Sequence, residues 1–239
     1  MLTFKDKILL FLDYLSDQAI FCPRRFIYEG FNSCEYSRVD RRLQALARDD
    51  KIVLEGRGKS GLVKLKVPIS GFWRDEVFDL RRFKEKWPWD GLWRIVLFDI
   101  AEENRKVRNL IRRKLKNLGF AMFQKSVWVT PFDVAEDVVE FLKKAGLKGP
   151  VEVLEGRRLF VEDEKEMAGK LWHLEDINGE YHRLLDLKHF SFEDWLAVRV
   201  KDPTLPRELL PKTWYADEVE KKLGKMVNSE TLNFTDDRL

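Results

Sequence analysis

Thr3 and Asp6 open a helical pattern in which Phe4, Ile8, Phe11, Leu12 and Leu15 recur at helical spacing, until Ser16 and Asp17 interrupt it. A helix over residues 3–15 is predicted. Pro23 suits the first turn of a short second helix through Glu29, with Gly30 as its stop. Ser37 is placed to cap a third helix, whose one side is Val39, Leu43 and Leu46 and whose other side is Arg38, Arg41, Arg42, Ala45 and Arg48. Ile52 to Leu54 then reads as a short strand and Gly56 to Gly61 as a glycine-rich turn. From Leu62 to Val67 the chain alternates, Lys64 and Lys66 on one face and Val63, Leu65 and Val67 on the other. Three helices and a basic hairpin predict a winged helix-turn-helix over residues 1–70.

Phe72, Trp73, Val77, Leu80 and Phe83 continue at near-helical spacing and break at Pro88 and Gly91, which makes residues 71–91 a helical connector. Leu92 to Ile100 is almost continuously apolar, as an inner strand covered on both faces should be. A helix follows, with Val107, Leu110, Ile111, Leu115 and Leu118 as its buried stripe and Gly119 as its end. Phe120 to Thr130 is one long strand or two short ones that change direction near Gln124-Lys125-Ser126. Asp133 and Glu136 form an acidic capping pair for a helix through Ala145, and Val151 to Leu154 supplies a further strand. That order predicts a ferredoxin-like α/β sandwich over residues 92–160, a small sheet that commonly buries an edge or face against a second copy. A homodimer is expected.

Residues 161–239 read as a helical C-terminal domain with a frayed tail from Asn228. Leu174, Ile177, Tyr181, Leu184 and Leu185 make one stripe, and Phe192, Trp195, Leu196 and Arg199 begin another. Trp172, Trp195 and Trp214 are expected in cores, with an aromatic ligand pocket as the alternative. The fold class is therefore α+β in three parts.

Charge changes the picture. The 239 residues hold 44 Lys or Arg and 41 Asp or Glu. The first 130 residues carry 27 basic and 17 acidic side chains, a net +10, and the remainder carry 17 and 24, a net −7. Residues 37–66 alone hold nine basic and four acidic groups, on the third helix and hairpin that such a fold presents to DNA. Ser37, Arg38, Arg41, Arg42, Arg48, Arg57, Lys59, Lys64 and Lys66 are the candidate DNA-binding residues. Arg41 and Arg42 suit bidentate bonds to guanine, whereas Arg57, Lys59, Lys64 and Lys66 suit phosphates. The helix over 103–118 has seven basic residues on its outer face, which read either as further DNA contacts or as a solvated surface.

Other chemistry finds little support. Cys22 and Cys34 form no Cys-x-x-Cys pair, and His173, His182 and His189 lack the spacing that presents two ligands together. No phosphate-binding glycine loop, dinucleotide fingerprint or nucleophile elbow occurs. No catalysis, cofactor or metal is expected. The apolar opening segment is broken by Lys5, Asp6, Lys7 and Asp13, unlike a signal peptide or membrane span, so a cytoplasmic protein with no membrane partner is expected.

Trp89-Asp90-Gly91-Leu92-Trp93-Arg94-Ile95-Val96-Leu97-Phe98-Asp99-Ile100, Leu118-Gly119-Phe120 and Ser126-Val127-Trp128-Val129-Thr130-Pro131 resemble the central domain of PaaX-type transcriptional regulators, the repressors of phenylacetate degradation and their relatives. Leu174-Glu175-Asp176-Ile177-Asn178 with Tyr181 is similar to that family's following helix. Asp202-Pro203-Thr204-Leu205-Pro206-Arg207-Glu208-Leu209-Leu210-Pro211 with Trp214 is similar to its C-terminal signature. The resemblance implies a homodimeric, DNA-binding repressor with an N-terminal winged helix, released by an acyl-CoA-type effector, phenylacetyl-CoA being a candidate. The two-fold axis of such a dimer makes an inverted repeat in double-stranded DNA the expected operator. Val96 to Ile100 and Phe123 to Trp128 also resemble the small CRISPR adaptation protein, in which the strand-end aspartate has a metal-dependent nuclease role. Asp99 occupies that position, and its alternatives are a metal-dependent nuclease role or a strand-end or helix-capping carboxylate.

Overall fold

The structure, a computed structural model, describes residues 3–16, 22–31, 35–58, 60–66, 88–146, 151–157 and 163–232. The predicted connector lies almost wholly outside these residues, as do Cys34, Lys59 and Val67. The described chain mixes helices with two antiparallel sheets, an α+β protein, and falls into two compact units.

The first unit contains residues 1–74, 177–201 and 215–239. Its N-terminal part is α1 (Phe4–Ser16), β1 (Cys22–Pro23), α2 (Arg24–Gly30), α3 (Tyr36–Arg48), β2 (Ile52–Glu55) and β3 (Leu62–Leu65), with the strands in the order β1-β3-β2. Thr3 and Asp6 start α1 reciprocally. The Thr3 N–H donates to Asp6 Oδ2 at 2.7 Å, and the Asp6 N–H donates to Thr3 Oγ1 at 3.3 Å. The buried faces of the three helices supply Ile8, Leu9, Phe11, Leu12, Ile27, Val39, Leu43 and Leu46, and the sheet adds Ile52 and Val63. Gly30 is required by close approach, since a Cβ there would stand 2.9 Å from Cζ of Phe11.

The start of α3 differs from expectation. Glu35, not Ser37, occupies the cap position and makes no side-chain bond there, while Ser37 lies exposed inside the first turn. A serine one residue inside the helix cannot serve as the cap that its free N–H groups need.

The same unit includes α8 (Phe192–Arg199), α9 (Ala216–Leu232) and most of α7 (Leu174–Asp186). Ser191 and Asp194 form a capping box at α8. Phe192 then meets the Phe11 ring with centroids 4.6 Å apart, and Lys7 pairs with Glu193. Asn178 Oδ1 accepts the Tyr215 N–H at 2.9 Å, and Lys201 Nζ lies 2.6 Å from Glu180. The late helices thus complete the core of the first unit instead of standing as a body over 161–239.

The second unit holds residues 75–176 and 202–214. Its elements are β4 (Trp93–Phe98), α4 (Arg105–Asn117) after a 3₁₀ turn at Glu102–Asn104, β5 (Ala121–Gln124), β6 (Val127–Thr130), α5 (Ala135–Lys144), β7 (Val151–Gly156) and α6 (Glu164–Trp172). The strand order is β5-β6-β4-β7 with every pair antiparallel. Alternation puts Val96 and Phe98 of β4 on one face, packed with Ile111, Leu115, Phe120, Trp128 and Val138. Trp93 on the other face packs with Val129, Phe132, Ala168 and Leu174, together with Leu205 and Leu209 from the returning 202–214 segment. Both faces of β4 are covered, which is why its sequence shows no polar alternation.

Two expected roles move. Leu110 is 36% exposed and is not part of the buried stripe of α4, because α4 meets the sheet through Ile111 and Leu115 alone as fully buried positions. Asp133 does not cap α5, whose cap position is Val134 without a side-chain bond. Its carboxylate instead lies 2.9 Å from Arg94 Nη2.

Candidate nucleic-acid interface

The outer face of α3 is cationic because its one carboxylate turns inward. Asp40 is half-buried and lies 3.5 Å from Nη1 of Arg24, and it accepts a bond from the Tyr28 hydroxyl at 3.3 Å. Burial, followed by the bond between Tyr28 and Tyr36, pushes the Tyr28 hydroxyl well above its ordinary pKa, so it stays a neutral donor. Ser37, Arg38, Arg41, Arg42 and Arg48 are all exposed. The Arg38 guanidinium lies 5.5 Å from the Phe4 ring centroid, and Arg41 Nε donates to the Ser37 carbonyl at 3.2 Å. Among the described residues no carboxylate pairs with Arg38, Arg41, Arg42, Arg48 or Arg57.

The hairpin adds its own cations. Arg57 is exposed between Gly56 and Gly58, which have φ of 69° and 67° and take the left-handed backbone that glycine allows. Lys64 is exposed on β3 opposite Val53. Lys66 is exposed beyond β3 and pairs with Asp50, so its ammonium is already partnered. Lys59 lies outside the described residues. Asp49 is likewise committed: the hydrogen bond from Lys5 at 2.7 Å holds its carboxyl below the usual aspartate value.

Arg24 joins hairpin to helix, a role with no pattern in the sequence. Its side chain is 3% exposed in the first turn of α2; its N–H donates to the Gly61 carbonyl at 2.8 Å, and its Nη2 donates to the Gly56 carbonyl at 3.0 Å. Together with Asp40 these contacts tie both ends of the turn to α3. Such preorganisation fixes the spacing of the two cationic elements before a ligand arrives.

The second unit has two charged features. Arg94 is 3% exposed, with Nη2 2.6 Å from Asp90 and 2.9 Å from Asp133, and Nε 3.0 Å from Glu155. The bond from Arg94 holds the Asp90 carboxyl below the usual range, against the opposing effect of burial. This buried guanidinium pins the end of β4 to β7 and to the loop after β6. Asp99 is exposed just past β4, and among the described residues no group of His, Cys, Asp and Glu has metal-site geometry. Among those residues also, no helix is long and apolar enough to cross a membrane.

Residues 86–168 match the family model described as the PaaX protein central Cas2-like domain. Among solved structures, the chain is similar to the uncharacterized protein Rv0674 from Mycobacterium tuberculosis, at 20% identity and a TM-score of 0.59, over 92% of this chain and 93% of that one. That likeness is one of fold. No curated protein matches the chain. The matched stretch contains β4, α4, the β5–β6 hairpin, α5 and β7, so this central part of the chain is similar to the PaaX central Cas2-like domain.

Proposed function

We propose that this protein is a PaaX-like transcriptional regulator whose first unit is a winged helix-turn-helix that reads double-stranded DNA. The single observation that carries the reading is the outer surface of α3. Five exposed residues there and at the hairpin tip, Arg38, Arg41, Arg42, Arg48 and Arg57, have no carboxylate partner among the described residues. In this reading α3 is the recognition helix in the major groove, with Arg41 and Arg42 at base edges. The wing, with Arg57, Lys59, Lys64 and Lys66, holds phosphates. The second unit is a ferredoxin-like sandwich through which two copies associate, so the operator is an inverted repeat and its occupation represses transcription.

DNase footprinting on the promoter regions nearest the gene tests the proposal, with a protected inverted repeat expected. Protection without symmetry removes the homodimer, and no discrete protection removes the operator. Release by a small effector, with acyl-CoA esters as candidates, is tested by thermal shift, since a ligand at 100 times its dissociation constant raises stability by about 2.7 kcal/mol.

A further inference from the structure

Helix α4 reads Arg105-Lys106-Val107-Arg108-Asn109-Leu110-Ile111-Arg112-Arg113-Lys114-Leu115-Lys116-Asn117, with seven cations and no carboxylate. Its inner face is explained by packing, through Ile111 and Leu115. Its outer face is not explained that way. Arg105, Lys106, Arg113 and Lys116 are exposed, and among the described residues none of the four pairs with a carboxylate. Like charges meet at i,i+3 (Arg105 with Arg108, Arg113 with Lys116) and at i,i+4 (Arg108 with Arg112, Arg112 with Lys116), an arrangement that weakens a helix. The first turn also sets cations against the helix dipole, whose positive end it is. Helices α5, α6, α7, α8 and α9 do the reverse, each with two acidic residues in the first turn. For α4 the nearest acids, Glu102 and Glu103, lie in the 3₁₀ turn before its cap. The long helix that shares this departure is α3, with no acid in its first turn.

We propose that the outer face of α4, with Lys125 of the β5–β6 turn, is a second surface for the phosphates of duplex DNA. Arg112 Nη2 donates to the Lys125 carbonyl at 3.4 Å and so holds the turn against the helix. From Arg105 to Lys116 the helix rises about 16 Å, a length over which one strand of a duplex offers about five phosphates. A single strand would call for aromatic side chains to stack its bases, and α4 has none. An acidic protein partner would call for an apolar centre, and Leu110 is the one exposed large apolar side chain on the helix. Cations at helical spacing without anchors suit a backbone contact that carries no sequence information. This inference rests on the reading of the protein as a DNA binder and adds a contact outside its first unit.

The test compares the full chain with Arg105→Gln/Arg113→Gln/Lys116→Gln and, separately, Arg41→Gln/Arg42→Gln. Binding to a mixed-sequence duplex of about 40 base pairs is followed by anisotropy between about 50 and 200 mM salt. The α4 triple variant should lose roughly two to three units of the log–log salt slope, about one per phosphate contact removed. Its melting temperature should stay level or rise, because the repulsion has been relieved. An unchanged slope overturns the proposal, and so does a lowered melting temperature, which would assign the cations to structural ion pairs. Competition by polyglutamate equal to that by duplex also overturns it. The α3 pair keeps the two readings apart: loss there with none in the triple variant leaves α3 as the sole surface, and loss in the triple variant alone leaves α4.

Discussion

Arg24 packs tightly on Gly61 at the base of the hairpin: the Arg24 N–H donates to the Gly61 carbonyl at 2.8 Å, and a Cβ on Gly61 would stand 2.9 Å from Arg24 Nε and 3.0 Å from the Glu55 carbonyl. Gly61→Ala must therefore displace either a pinned guanidinium or the strand backbone. Crowding of this kind costs about 1–3 kcal/mol. A lower melting temperature is expected, together with weaker binding to duplex, because the turn and α3 lose their fixed spacing. If the variant keeps both at the level of the parent, the clamp is not what orders the hairpin.

The cations of the interface should not contribute equally. Arg42 and Arg57 are exposed with no carboxylate partner among the described residues, whereas the Lys66 ammonium is held by Asp50. Arg42→Gln and Arg57→Gln should each reduce the salt slope of duplex binding by about one unit. Lys66→Gln should reduce it by less, since that ammonium exchanges one anion for another. Asp50→Asn should tighten binding by freeing Lys66. Equal slopes for all three cation variants would mean that the Lys66–Asp50 pair is open in solution.

How much of this arrangement the sequence showed depends on whether the cause was local. The stripe of Val39, Leu43 and Leu46 and the charges opposite it are local, and the structure buries the first set and exposes the second. The two-faced burial of β4 was legible in its nearly continuous apolar run, which only Arg94 interrupts, for the same reason. Ser37 misled because cap preference says which residue suits a helix start and not where that start falls, and the helix begins at Tyr36, one residue earlier. Asp133 misled because its partner, Arg94, lies 39 positions earlier and no spacing rule joins them. Arg24 left no signal at all. Its value comes from carbonyls of Gly56 and Gly61 that approach only once the hairpin has closed. The return of 202–214 to the second unit is of the same non-local kind.

Acid should act on the second unit through Asp90. Its carboxyl is held below the ordinary value of 3.8 by the bond from Arg94, so the folded state binds its proton later than the unfolded chain does. A depressed folded value means the contribution is complete above the unfolded value and is lost as pH falls through the folded one. Urea midpoints should therefore drop as pH falls below about 4, and less so in Asp90→Asn, which has no proton to take up there. The same slope in both proteins would show that Asp90 is not coupled to unfolding.

The segment that resembles the PaaX C-terminal signature is a structural strap of the second unit, and its apolar residues can be tested as such. Thr204 has φ of 54°, and its N–H donates to Asp202 Oδ1 at 2.7 Å, a local turn that aims the chain back at the sheet. Leu205 then enters the cluster around Trp93 and Phe132, and Leu209, at 0% exposed, fills it from a 3₁₀ turn. Leu209→Ala removes a wholly enclosed side chain and should cost about 2–5 kcal/mol. Leu210→Ala, one position on and only partly buried, should cost visibly less. Both are read from urea melts of the full chain that follow tryptophan fluorescence, since Trp89, Trp93, Trp172 and Trp214 all belong to this cluster. Equal and small losses for the two would mean that the strap covers the sheet without holding it together. A large loss at Leu209 alone would show that the strap is anchored through that one enclosed side chain.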